Sequence, residues 1–385
     1  MDFHLNEDQQ AFADSARSLF TDYCSDDALR AHDAGAAPYM QALWAQCVAT
    51  GLHSIVVDEA AGGLGQGMTE LMAVLEPQGR ALALVPLAEH QLAVTAVARF
   101  APAAVAGVLP RLVSGEALAT LALDGLSTAR GPRLQARRQG GGLRLDGVVA
   151  AVPLAAQSAL ALLPVSFEGQ PRLVAANPQS AGVGRVDGHS QRHLAVADLR
   201  FDGLHVDEAV LLAPEAQAWL EPRASAALAA LQLGVSAGQM ARTVEYVSQR
   251  KQFGRVIGSF QLVAGQMADA QIAVEALRSA LAQLVYRLDA GLGAMPQALS
   301  VQVLAARAAH LVGHKAQHVH GGMGVDVTYP IHRYLYWSRA LAASLGGDAP
   351  ALERLGDWLA ADDRLGWKYD LPEDLGTPTG DRHAD

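Results

Sequence analysis

Two short runs carry most of the readable chemistry. One is Arg250-Lys251-Gln252-Phe253-Gly254, followed by Ile257, Phe260 and Gln261. The other is Gln317-His318-Val319-His320-Gly321-Gly322-Met323-Gly324, followed by Tyr329-Pro330 and Arg333. An arginine at a helix end, beside an aromatic ring and a glycine, can fork onto a pyrophosphate while the glycine admits close approach. A helix that ends in Gly-Gly-x-Gly exposes backbone amides in a turn, a cradle for the polar atoms of a cofactor. His310, His314 and His318 recur four residues apart, which sets three imidazoles on one helical face. That spacing suits zinc, but no carboxylate is fixed beside it, so a structural role is expected and no metal site is assigned.

The elements that must position these runs fall into three zones and a tail. Residues 1–117 read as a helical domain: Asn6 and Gln9 resemble a capping box, and Phe12, Ala16, Leu19 and Phe20 share a helical face. Residues 118–210 read as an antiparallel β domain, with alternation at Leu143–Val148 and turns at Gly140-Gly141-Gly142, Asp146-Gly147 and Asp202-Gly203. Residues 211–365 read as a four-helix bundle. Phe260, Val263, Met267, Ala270, Val274, Leu277, Leu281, Leu284 and Leu288 form one stripe of a long helix. Pro296 suits the start of a third helix, Gly321-Gly322 its end, and a fourth runs from about 331 to 345. Residues 366–385 look like a tail. The fold class is therefore α+β.

Composition narrows the function. Apolar residues make up 51% and charged residues 18%, which excludes a disordered chain. The net charge of −10 repels phosphate backbones, so no nucleic-acid partner is expected. No apolar run reaches membrane-spanning length and the first residues do not read as a signal peptide. Cys24 and Cys47 alone make no disulfide framework, and a cytoplasmic protein is expected.

Helices, a β insert, then a bundle, with the two runs above and Gly62-Gly63-Leu64-Gly65 near the front, resemble the acyl-CoA dehydrogenase family over nearly the whole chain. The resemblance implies FAD held across a subunit interface, an acyl-CoA substrate, and electrons passed to an electron-transfer flavoprotein. By the motif match, Arg250, Phe253 and Gln261 would touch the adenosine-diphosphate half, as would His318, Gly321 and Gly322. His318 departs from the family, which usually has Gln there.

Other departures concern the reacting end. The family's base is usually a Glu after the fourth bundle helix; that place is Leu345 here. A minority carry it on the first bundle helix; that place is Ala224. Neither side chain takes a proton. Glu221 and Asp348 lie near those places and are weak candidates for a displaced base. The family's Thr-Glu-Pro run, with Gly-Ser-Asp shortly after, corresponds to the stretch Thr120-Leu121-Ala122-Leu123-Asp124-Gly125-Leu126-Ser127, and the strand that covers the isoalloxazine to Ala151-Val152-Pro153-Leu154. Some bacterial members that degrade sterol and bile-acid side chains pair unlike subunits, one lacking the base, and this chain resembles that partner, within a homo- or hetero-tetramer. The alternatives are a homo-oligomeric dehydrogenase with a relocated base, a scaffold or regulatory homologue, and a flavin oxidase or monooxygenase on the same fold.

Overall fold

The computed structural model describes residues 5–127, 131–344 and 346–361. Seven helices come first: α1 Glu7–Tyr23, α2 Asp26–Asp33, α3 Gln41–Ala49, α4 Met68–Ala81, α5 Leu87–Phe100, α6 Pro102–Val105 and α7 Leu109–Val113. Asn6 accepts from the Gln9 N–H and the Gln9 side chain accepts from the Asn6 N–H, the reciprocal cap the spacing implied. Helix α5 gave no periodic signal because almost its whole circumference is buried, from Leu87 to Val97.

A sheet of seven strands follows: β1 Leu118–Leu121, β2 Gln135–Gln139, β3 Gly142–Pro153, β4 Ser158–Phe167, β5 Gln170–Ala176, β6 Val183–His189 and β7 Ala195–Val206. Its order is β1-β4-β2-β3-β7-β6, with β5 on β4. Most pairings are antiparallel, but β1 and β2 each lie parallel to β4. Alternation within a strand reports which face is buried, not the direction of the neighbour, so those two pairings left no mark in the sequence.

The C-terminal part holds α8 Ala216–Gln249, a hairpin of β8 Lys251–Gln252 and β9 Arg255–Val256, then α9 Gln261–Asp289, α10 Met295–His320, α11 Gly322–Val325, α12 Ile331–Ser344 and α13 Asp348–Ala361. Seven residues of the α9 stripe, from Met267 to Leu288, are buried against the bundle. Phe260 caps the helix and Val263 is half-buried. The tail at 366–385 and Leu345 lie outside the described residues. Among the described residues no helix is long and apolar enough to cross a membrane.

Two contacts join the parts. Helices α4 and α8 cross backbone to backbone: a Cβ at Gly79 would stand 2.1 Å from the Leu231 carbonyl oxygen, and one at Gly234 would stand 2.0 Å from that of Glu76. No side chain fits there. Glu89 on α5 and Arg192, between β6 and β7, pair at 3.1 Å with side chains 6% and 8% exposed, and Arg192 also lies over Trp337 of α12. One buried ion pair thus ties all three parts.

His90, wholly buried on α5, serves as a neutral hub. Its Nε2 donates to the Leu112 carbonyl and its Nδ1 accepts the Ala119 N–H, each at 3.1 Å. Burial, then the charge of His53, pushes its pKa down to about 3.

The helix crossing can be tested at two glycines. Gly234→Ala should lose about 2 kcal/mol or more in urea unfolding through overpacking, whereas Gly356→Ala, with open space around it, should gain about 0.8 kcal/mol. The buried imidazole has its own signature. Below the ordinary imidazole pKa of about 6.5, the unfolded chain binds a proton that folded His90 refuses. Stability should therefore decline as the pH falls from about 6.5 towards about 3. His90→Gln should flatten that decline in melts taken across the range.

Candidate functional site

The two glycine-flanked runs meet at one end of the bundle. Arg250 caps the C-terminus of α8, its N–H on the Tyr246 carbonyl at 2.8 Å and its own carbonyl accepting from Ile257 at 2.8 Å. The chain then turns through Phe253 (φ 52°) and Gly254 (φ 81°) between β8 and β9, a two-residue turn whose twist matches its strands. An aromatic residue in that left-handed region costs on the order of 1 kcal/mol, yet the Phe253 ring is 93% exposed. Arg255 lies over the Phe260 ring at 4.2 Å. Gln261 opens α9 and is exposed. Arg250 is exposed and forms no ion pair among the described residues.

Helix α10 ends beside it. His320 stacks on Tyr246 with ring centroids 4.3 Å apart, which locks the last turn of α10 to the last turn of α8. Gly321 takes φ 57° and ψ −131°, a conformation open to glycine. A Cβ at Gly321 or Gly322 would meet nothing within 4 Å, so these backbone groups face open space. Gly324 packs down instead, where a Cβ would stand 2.4 Å from Gln317 Oε1. Both amide atoms of Gln317 are buried without a partner. His318 is exposed on the same turn. An unpaired guanidinium, a glycine cradle and an orphaned amide form a donor set that fits a dinucleotide's phosphates. His310 and His314 touch, with centroids 4.3 Å apart, and burial lowers the His314 pKa, reinforced by His310 and Arg339. Among the described residues no group of three His, Cys, Asp or Glu side chains could hold a metal.

The divergent segments gather at a second place. Leu123, Asp124 and Ser127 after β1, Ala151 and Pro153 of β3, and Ala343 and Ser344 of α12 line a cavity of about 630 Å³. Arg192, Arg339 and Gly346 line it too. These two arginines belong to no motif, and it is their place in the fold that brings them here. Among the described residues Asp124 is the one carboxylate lining the cavity, and it is held by Arg133 and the Ala150 N–H.

The candidate bases lie elsewhere. Glu221, buried on α8, is bound by the Arg354 guanidinium of α13. The same Arg354 Nη1 donates to Ser127 Oγ at 3.1 Å. Gln302 of α10 bonds both Ser127 and Ser225, closing a buried polar network on the α8 face that carries Ala224. With Oε1 of Glu221 taken by Arg354, this carboxylate faces its partner within the bundle and does not line the cavity by Asp124. Asp348 opens α13, half-exposed, 3.2 Å from Arg307 Nε.

Comparison with known proteins shows the family. Residues 6–116 match the description "Acyl-CoA dehydrogenase, N-terminal domain" and residues 223–359 match "Acyl-CoA dehydrogenase, C-terminal domain". The chain is 33% identical to "Acyl-CoA dehydrogenase FadE27" of Mycobacterium tuberculosis, over 94% of this chain and 99% of that one. It superposes on a chain of the ChsE4–ChsE5 complex from Mycobacterium tuberculosis with a TM-score of 0.88 at 32% identity, covering 94% and 100% of the two chains. A chain from a variant of the Tcur3481–Tcur3483 steroid ACAD gives 0.86 at 35% identity, covering 92% and 98%.

The Arg354–Glu221 pair can be weighed directly. Arg354→Met strands a buried carboxylate and should cost about 3 kcal/mol. Adding Glu221→Leu should restore most of that, as read in a double-mutant cycle by urea unfolding.

Proposed function

The chain belongs to the acyl-CoA dehydrogenase family, and from that premise we propose that it is one subunit of an FAD-dependent acyl-CoA desaturase. In this reading it supplies cofactor contacts to a shared site and leaves the α-proton base to a related chain. When bound, FAD takes the hydride from the substrate's β-carbon. This chain's Arg250 and the backbone at Gly321 and Gly322 hold the pyrophosphate half, while Phe253, Gln261 and His318 border the adenosine.

One observation carries the reading. The end of the bundle that gathers the dinucleotide contacts is also an uncovered apolar edge, with Phe253 93%, Leu262 83%, Val325 80% and Val327 66% exposed. Large apolar side chains left exposed in and beside both runs point to a protein contact. In the cavity by Asp124, the one lining carboxylate among the described residues is already bound by Arg133 and the Ala150 N–H. In this reading neither Glu221 nor Asp348 acts as base, and positions 224 and 345 carry none.

The two unlike chains named in the ChsE4–ChsE5 complex support an unlike partner, and the description of the Tcur3481–Tcur3483 structure as a steroid ACAD supports a bulky, ring-bearing acyl-CoA. Ala226, Ala227, Ala229 and Ala230 on α8 leave side-chain volume low along that helix. The electrons pass to an electron-transfer flavoprotein, in the cytoplasm.

Co-expression with a related dehydrogenase chain tests this. The pair should purify yellow and oxidise acyl-CoA, and this chain alone should be colourless. Arg250→Met in the pair should weaken FAD by about 2 kcal/mol, about thirtyfold, read as flavin retained on gel filtration. A lone chain that is yellow and active would overturn the proposal; so would a pair indifferent to Arg250→Met.

A further inference from the structure

A second large cavity, about 700 Å³, lies behind the first turns of α8. Its walls come from the segment at 56–68, from α5, and from the connection between α9 and α10. Trp219, Pro222 and Arg223 face it, whereas Glu221 and Ser225 bond towards α13 and α10, so the two sites use different faces of one helix.

Its charge pattern is unusual for a cavity with apolar walls. Arg223 and Arg99 both lie over the same indole, Trp219, with guanidinium carbons 4.3 and 5.8 Å from its centroid. Arg223 donates to the Trp219 carbonyl at 2.9 Å, which fixes its direction. Neither arginine has an ion-pair partner among the described residues. Asp289 lines the cavity, but its oxygens are taken by the Met68 N–H, the Thr69 N–H and the Thr69 hydroxyl, at 2.7, 3.0 and 2.6 Å. Asp58 is exposed. Burial first, then Arg99, pushes the Arg223 pKa down to about 10, and the charge of Asp289 offsets this only in part. Val56, Met68, Leu92 and Leu288 supply a buried apolar wall.

We propose that this cavity binds an organic carboxylate with an apolar body, its head group forked by Arg223 and Arg99 and its body against the wall of Leu92 and Leu288. A carboxylate supplies the direct bidentate partner that neither Asp58 nor Asp289 gives these two guanidiniums, and a compact apolar body of about six carbons leaves water for the apolar side of the cavity. The site is separate from the dinucleotide contacts and does not depend on them.

Calorimetric titration of the full chain tests it with cyclohexanecarboxylate and its neutral isostere cyclohexanecarboxamide. The acid should bind at least tenfold more tightly than the amide. Arg99→Gln, an exposed substitution that spares the core, and Arg223→Gln should each weaken the acid at least tenfold and leave the amide unchanged. Inorganic phosphate should bind more weakly than the acid. Equal affinities for acid and amide, no binding of the acid, an acid affinity untouched by Arg99→Gln, or phosphate binding as tightly as the acid would overturn the proposal. Flavin retention in the paired complex should not change with Arg99→Gln, which keeps this result apart from that of the dinucleotide site.

Discussion

The crossing of α4 and α8 is the constraint on which the rest is hung. Gly79 and Gly234 leave no side-chain volume between two backbones, so the helices sit at a separation that no alternative packing can share. Gly238 extends the contact by one turn, against the Arg80 carbonyl and the Tyr334 ring. Because α8 runs 34 residues, fixing it against the N-terminal helices also fixes both of its ends. One end receives the polar network of Glu221, and the other presents Arg250 to the turn that follows α10.

The charges follow the same geometry. Where α8 meets α13 and α10, a carboxylate and a guanidinium satisfy each other and two serines and a glutamine close the remaining bonds. Such a network favours one arrangement of the helices over others that bury the same apolar surface. On the back of the helix, two guanidiniums share one indole with no such closure. At the far end, Arg250 again stands without an ion-pair partner among the described residues. In α8, then, the paired charge sits at the seam with α13 and α10, and the arginines without an ion-pair partner sit at a cavity and at an open turn.

Much of the framework was legible because it rests on local rules. The Asn6–Gln9 cap, the α9 stripe, Pro296 near the start of α10 and Gly321 at its end each depend on residues within a turn or two. What escaped depends on distance. Helix α5 is buried on nearly all sides, so periodicity had nothing to separate. Glu221 meets Arg354 across 133 residues, and Glu89 meets Arg192 across 103. The two glycine-flanked runs could be picked out from the sequence, but their meeting through Tyr246 and His320 is a product of helix lengths and connections. The arginines around Trp219 carry no motif, since it is the fold that brings them to one indole.

The exposed ring of Phe253 has a consequence for the life of the chain in a cell. Together with Leu262, Val325 and Val327 it leaves a sticky rim that water wets poorly. Copies made in excess of whatever covers that rim would associate with one another or be captured by chaperones and proteases. Abundance would then be set by stoichiometry: synthesis matched to that of its cover, and surplus copies removed.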